Sequence, residues 1–187
     1  HVDSNVCVVF DSRNVDLDPY VLGAWLGDGD SSGGIIHIGN NDVEIINSTY
    51  KFKESKGTTT RKFYSPELNL LLKNNGLIKN KHIPDMYKYN SVEVRKNVIA
   101  GLIDTDGYVY HRNGRITISN TNKRIIDDAA FILRSLGQSV VVCEFKPRVS
   151  SSGIVGKKIV YQLCFNPTMT FTTKVKRKKI TKLSINK

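Results

Sequence analysis

A chain of 187 residues, 40% of them hydrophobic, is long enough to bury a substantial core as one domain or two small fused halves, and a disordered tail is excluded. Its 28 Lys and Arg against 17 Asp and Glu leave a net charge of +11, which points to a polyanionic partner, nucleic acid before a membrane surface. No apolar run reaches the ~18 residues of a spanning helix, so no membrane partner is expected.

Along the chain, His1–Asp18 reads as a lead-in strand and loop. Asp18-Pro19 is a helix start, with Asp as N-cap and Pro in the first turn, and the helix should run to about Asp28. A turn at Asp30–Gly34 precedes a short strand at Ile35–Ile38, a short helix over about Asp42–Ser48, and basic strands and loops in Lys51–Tyr64. Ser65-Pro66 opens a helix that ends near Asn75-Gly76. A second long helix runs from about Val92 to Asp106. Tyr108–Tyr110 and Arg115–Ser119 flank an Asn-Gly hairpin turn at His111–Gly114. Lys123–Leu136 has helical periodicity and stops at Gly137; Ser139–Val149 and Lys157–Phe165 alternate as strands; the tail from Lys174 to Lys182 is dense in Lys and Arg. Cys7, Cys143 and Cys164 show no zinc or disulfide spacing and read as reduced core residues. This order predicts an α+β fold with antiparallel sheets.

Two stretches repeat. Val21–Gly29 reads VLGAWLGDG and Ile99–Gly107 reads IAGLIDTDG, each an apolar run with small residues four apart that stops at Asp-Gly. Ile36-His-Ile-Gly-Asn40 is likewise matched by Ile116-Thr-Ile-Ser-Asn120. So long a period, occurring twice, indicates a duplicated half-domain. The expected division is a lead-in over 1–18, a first half over 19–90 and a second half with the basic tail over 91–187.

Small residues at i and i+4 let another backbone approach closely. Two such helices side by side would bring Asp28 and Asp106 together. Paired carboxylates suit a hard divalent cation, Mg²⁺ or Mn²⁺, with Gly27 and Thr105 beside them as further oxygen donors. A metal there polarises a scissile phosphate and activates water. Asp104 has no counterpart in the first motif, where Leu26 stands, and reads as a packing or capping residue. The glycines of Gly27–Gly34 lack the Gly-Lys-Ser/Thr ending of a phosphate-cradling loop.

These motifs resemble the two signatures of the LAGLIDADG homing endonucleases in their single-chain form. The first motif, with Trp25 and Gly27-Asp-Gly29, and the Lys81-His-Ile-Pro84 block look most like intein-encoded members, the yeast vacuolar-ATPase intein among them. The resemblance covers about Pro19 to Lys179. It implies two pseudo-symmetric αββαββα halves with saddle-shaped antiparallel sheets in the DNA major groove. It implies a monomer that binds a long, nearly palindromic double-stranded target and cuts both strands, leaving short 3′ overhangs. Asp28 and Asp106 would hold Mg²⁺ between the cut phosphates. A lysine from each half would assist: Lys81 in the first, Lys176 in the second, with Lys174 as the alternative.

Candidates for reading bases or gripping phosphates are His37, Arg61, Lys62 and Tyr64 in the first half. In the second they are Tyr110, Arg112, Arg115, Thr117, Lys146, Arg148, Lys157 and Tyr161, with Lys174 and Arg177 in the tail. The chain starts with His1 and ends Ile185-Asn-Lys187, without the nucleophile and His-Asn of an intein, so self-splicing is not expected. Two rival readings are an RNA-binding intron maturase and a catalytically inactive DNA-binding remnant. Carboxylates at both motif ends and Lys81 speak against the remnant, the intein-like first motif against the maturase.

Overall fold

The computed structural model describes residues 6–46, 49–147 and 156–184. Helix α1 spans Pro19–Asp28, its N-terminus capped by Asp18 Oδ1, which accepts from Val21 N at 2.9 Å. Strand β1 (Ile35–Gly39) follows, then β2 (Lys53–Lys56), β3 (Thr60–Tyr64), α2 (Pro66–Asn74) and α3 (Asp85–Lys88). The second series is α4 (Val92–Asp106), β4 (Gly107–Val109), β5 (Ile116–Asn120), α5 (Lys123–Ser135), β6 (Val140–Phe145) and β7 (Val160–Phe165). Among the described residues, no helix is long and apolar enough to cross a membrane.

The strands form two antiparallel sheets, ordered β1-β3-β2 and β4-β5-β7-β6. An isolated bridge from Gly29 to Ile36 stands where the second sheet has β4, so both sheets follow one plan. The register repeats as well: Ile36 lies opposite Phe63, and Ile116 opposite Phe165. All four are buried and pack into one core with both motif helices.

The motif helices cross with almost no side chain between them. A Cβ on Gly23 would lie 2.1 Å from the Val98 carbonyl oxygen, and one on Gly101 would lie 2.2 Å from that of Tyr20. From Tyr20 to Leu26 every residue of α1 is buried, so this helix is enclosed on all sides. Its amphipathic contrast is α5, which sends Ile125, Ile126, Ala129, Ile132 and Leu133 inward and keeps Lys123, Arg124, Asp127 and Arg134 outside, while Asp128 is buried against Lys88 and Ile83 N.

Several expectations are corrected. The helix over Asp42–Ser48 is a single 3-10 turn at Val43–Ile45, and residues 47–48 lie outside the described residues. The described part of the lead-in forms no strand; the buried Arg95 guanidinium holds it by donating to the Val8 carbonyl. Helix α3 was not anticipated, because four residues are too few to show a period. Cys143 is exposed, since edge strand β6 turns it away from the core, whereas Cys164 is buried.

Candidate active site

Each motif helix ends at its aspartate because the next residue is an extended glycine, Gly29 (φ −77°) and Gly107 (φ −91°). Left-handed backbone is not the reason for glycine here. A Cβ on Gly29 would meet the Trp25 carbonyl oxygen at 2.3 Å, and one on Gly107 the Ile103 carbonyl oxygen at 2.5 Å. The chain can therefore fold straight back into the sheet only with hydrogen at these positions.

The two tips meet. A Cβ on Gly27 would sit 2.1 Å from Thr105 Oγ1 and 3.3 Å from Asp106 Cγ. Burial pushes the Asp28 carboxyl up to about 6, and the adjacent charge of Asp106 pushes it the same way. Burial raises Asp106 too, opposed by a 2.6 Å hydrogen bond that Asn120 Nδ2 donates to Oδ2. Asn40 has the same sequence place in the first repeat, but donates instead to the Thr58 carbonyl at 3.1 Å and accepts from Arg61 Nε. The two carboxylates are therefore dressed differently.

Lys81 lies against the end of α1. Its Nζ donates to the carbonyls of Trp25 (2.8 Å), Leu26 (3.1 Å) and Gly29 (2.7 Å), and sits 4.7 Å from the Trp25 ring centroid. Burial brings its amine down to about 8, with Asp106 and Asp28 pulling the other way. At the end of α4 the matching cation is Lys178, whose Nζ donates to the Asp104 carbonyl at 2.7 Å and the Thr105 carbonyl at 2.9 Å. Neither Lys176 nor Lys174 occupies this place. Lys176 is exposed, and Lys174 puts its Nζ 3.9 Å over the Tyr20 ring.

The reason is local. Residues Lys176–Lys178 form a 3-10 turn, in which side chains three apart share a face. Buried Val175 therefore turns Lys178 inward with it and leaves Lys176 and Arg177 outside. That spacing from an apolar residue was the available signal in an otherwise uniform charge run. Arg177 pairs with Asp42 from the first series, Nε to Oδ1 at 3.0 Å. Asp104 anchors the same tail: Oδ2 accepts from Tyr20 Oη at 2.7 Å and Lys174 N at 2.6 Å, and Oδ1 from Val175 N at 3.3 Å.

A cleft runs from Gly27, Lys81 and Asp106 past Asn120 to Ser119 and Val160 on the second sheet. Where the helix tips meet, the donors suit a hard divalent cation: the desolvated Asp106 carboxylate that lines this cleft, the Asp28 carboxylate near enough to feel its charge, and helix-end carbonyls. Among the described residues no group of three or more His, Cys, Asp or Glu could hold a metal, so water or phosphate oxygens would complete the shell. The Thr105 hydroxyl shares its one hydrogen between the Gly101 and Leu102 carbonyls and keeps its oxygen lone pairs, while its carbonyl accepts from Lys178.

The base-reading candidates divide by strand parity. His37 and Lys62 are cross-strand partners, and Tyr64 shares their face, opposite the buried Ile36, Ile38 and Phe63. Arg61 has the parity of the core face and lies at its margin, bound to Glu54 at 3.1 Å. On the second sheet Tyr161 takes core parity and packs under Lys123. Thr117 faces outward but is almost covered. Tyr110, Arg112, Arg115, Lys146 and Lys157 are exposed; Arg148 lies outside the described residues.

The homing endonuclease family model matches residues 82–181, more than half of the chain. The chain belongs to the homing endonuclease family. It is similar to replicative DNA helicase DnaB of Mycobacterium intracellulare, with 31% identity over 175 residues, 94% of this chain and 27% of that protein. It also resembles the homothallic switching endonuclease of Saccharomyces cerevisiae, 34% identical over 91 residues, 46% of this chain and 15% of that protein. This homing endonuclease chain thus spans about a quarter or less of the curated relatives it matches.

Among solved structures it resembles an I-DmoI variant in complex with its target DNA in the presence of Mn, at a TM-score of 0.54 and 18% identity, covering 80% of this chain and 86% of that one. I-DmoI in complex with DNA and Ca matches at a TM-score of 0.52 and 18% identity, covering 80% of this chain and 82% of that one. At such identity the likeness speaks for the α+β fold.

Proposed function

We propose that the chain is a site-specific DNA endonuclease that binds duplex DNA as a monomer and hydrolyses one phosphodiester in each strand. The observation that carries this reading is the meeting of Asp28 and Asp106 at one helix contact, with a lysine at each helix end, Lys81 half-buried and Lys178 buried. Residues 19–90 and 91–187 serve as two halves, each offering a sheet to half of a nearly palindromic target. The +11 charge supplies the attraction for the phosphate backbone.

A divalent cation such as Mg²⁺, held by Asp28 and Asp106, would lower the pKa of an attacking water and offset charge on the departing 3′ oxygen. The chain's own residues do the rest. Lys81 spends its three N–H bonds on three carbonyls, so it acts as a fixed positive charge beside the phosphate and not as a base. Among the described residues Lys178 has two such partners, which leaves one proton for water or a phosphate oxygen. Asn120 holds Asp106 in place.

The homing context we propose is an intein. The match spans 175 residues yet only 27% of a relative named as a helicase, whereas the family is one of endonucleases. An endonuclease segment carried inside a host gene accounts for both. The test is incubation with Mg²⁺ and a plasmid bearing the uninterrupted host gene. Linear product supports the nuclease; shifted but uncut DNA supports an inactive remnant; preference for intron RNA supports a maturase.

A further inference from the structure

The repeat continues past the matched asparagines. Two positions after Asn40 stands Asp42, and two positions after Asn120 stands Asn122. Each of these side chains reaches into the other half. Asn122 Nδ2 donates to the Lys81 carbonyl at 2.9 Å. Asp42 accepts from the Arg177 guanidinium, Nε to Oδ1 at 3.0 Å and Nη2 to Oδ2, and Arg177 immediately precedes Lys178. One place in the duplicated unit therefore grips the lysine-bearing segment of the opposite half, in both directions.

Both segments need a hold. Lys81 lies in the irregular stretch between α2 and α3, and Lys178 in a single 3-10 turn. A lysine ammonium sits on a flexible stem, so where it rests follows from where its backbone is fixed. On the Lys81 side the hold is specific. Asn122 Oδ1 accepts from Arg124 N at 3.0 Å and caps α5, so the amide turns its nitrogen to the Lys81 carbonyl. The backbone N–H of Asn122 donates to Asn120 Oδ1 at 2.7 Å, and Asn120 in turn donates to Asp106. Bonds thus run from one carboxylate through two asparagines to the backbone of the opposite lysine. Farther along α5, buried Asp128 accepts from Ile83 N at 3.0 Å and fixes the next part of the segment. The Asp42–Arg177 pair is open to solvent on the arginine side and holds more weakly.

We propose that Asn122 and Asp42 are reciprocal positioning residues: Asn122 of the second half sets Lys81, and Asp42 of the first half sets Lys178 through Arg177. The inference rests on the endonuclease reading and adds a link between its two cuts, since neither half holds its own lysine unaided.

The test uses the full chain with Mg²⁺, saturating enzyme and a duplex from the cut plasmid whose strands carry different 5′ labels. Lys81→Met and Lys178→Met first show which strand depends on which lysine. Asn122→Asp keeps the oxygen that caps α5 and removes the donor; Asn122→Ser keeps a cap and is too short to reach the Lys81 carbonyl. Both should leave the thermal midpoint and the DNA affinity nearly unchanged. Both should slow the Lys81-dependent strand on the order of 10-fold and spare the other. Added to Lys81→Met, neither should slow that strand further by more than about twofold. Asp42→Asn should slow the Lys178-dependent strand about threefold.

Equal slowing of both strands, slowing of the strand that belongs to the substituted half, or full additivity with Lys81→Met would overturn the inference and leave the nuclease standing. So would Lys81→Met and Lys178→Met slowing the same strand. A fall in affinity at an unchanged cutting rate would make Asn122 a DNA contact and overturn it too. An unaltered chain that cuts neither strand would instead remove the endonuclease reading, and this inference with it.

Discussion

Lys81 and Lys178 make the same contact at the ends of two different helices. Lys81 Nζ donates to the Leu26 carbonyl and Lys178 Nζ to the Asp104 carbonyl, each two residues before the terminal aspartate. The negative end of each helix dipole is thus met by a lysine next to a carboxylate, half-buried at α1 and buried at α4. Lys81 reaches its place from the segment after α2, Lys178 from the C-terminal tail.

Replacing Lys178 should therefore cost far more than replacing Lys176. Lys178→Met is expected to slow cutting on the order of 100-fold, mostly on one strand, so nicked circles accumulate on a supercoiled substrate. Lys176→Met should only reduce the salt dependence of binding by about one counterion. Equal losses from the two variants would remove the assignment.

Asp28→Asn and Asp106→Asn should each reduce cleavage about 1000-fold and leave target affinity nearly unchanged. A gel-shift titration beside a cleavage assay separates the two quantities. A parallel fall in affinity would count against a role as metal ligands.

The pH dependence follows from Asp28, whose carboxyl rises from 3.8 to about 6 on folding. A group with a raised folded-state value binds its proton more tightly when folded. Stability of the cation-free protein should therefore decline as pH rises from about 4 to about 6. The proton also competes with the cation, so the Mg²⁺ concentration for half-maximal cleavage should climb below pH 6. Lys81, brought down to about 8, loses its charge above that value, and cleavage should fall there. Denaturation midpoints and Mg²⁺ titrations across pH 4–9 check all three.

Gly101→Ala places a methyl 2.2 Å from the Tyr20 carbonyl oxygen and 2.6 Å from Ala24 N. Both atoms are backbone, so nothing can rotate away. The expected cost is about 3 kcal/mol or more, a drop in Tm on the order of 10 °C for a chain of this size. Calorimetry decides it, and an unchanged midpoint would mean the helices do not cross at this glycine.

Asp104→Ala should release the tail that carries Lys178, because Tyr20 Oη and the backbone N–H groups of Lys174 and Val175 lose their acceptor. A stability loss of about 3 kcal/mol should come with faster proteolysis between residues 166 and 184 and slower cutting. Intact protection of the tail would rule out this anchoring role.

Much of this protein could be read directly from its residues. Asp18-Pro19 starts the first motif helix, and both motif helices end at Asp28 and Asp106, the boundaries the motifs implied. The glycines at 23 and 101 announced a close helix crossing, and the repeated Ile-x-Ile segments announced two sheets of one plan. These are local matters of capping, period and side-chain volume, which neighbours in sequence dictate. Which lysine meets the end of α4, which strand positions face outward in a ragged register, and which asparagine holds a carboxylate are contacts across 14 to 74 positions. Spacing is silent there, because loops of unequal length and a 3-10 turn set the direction of each side chain, and only packing the whole chain resolves it.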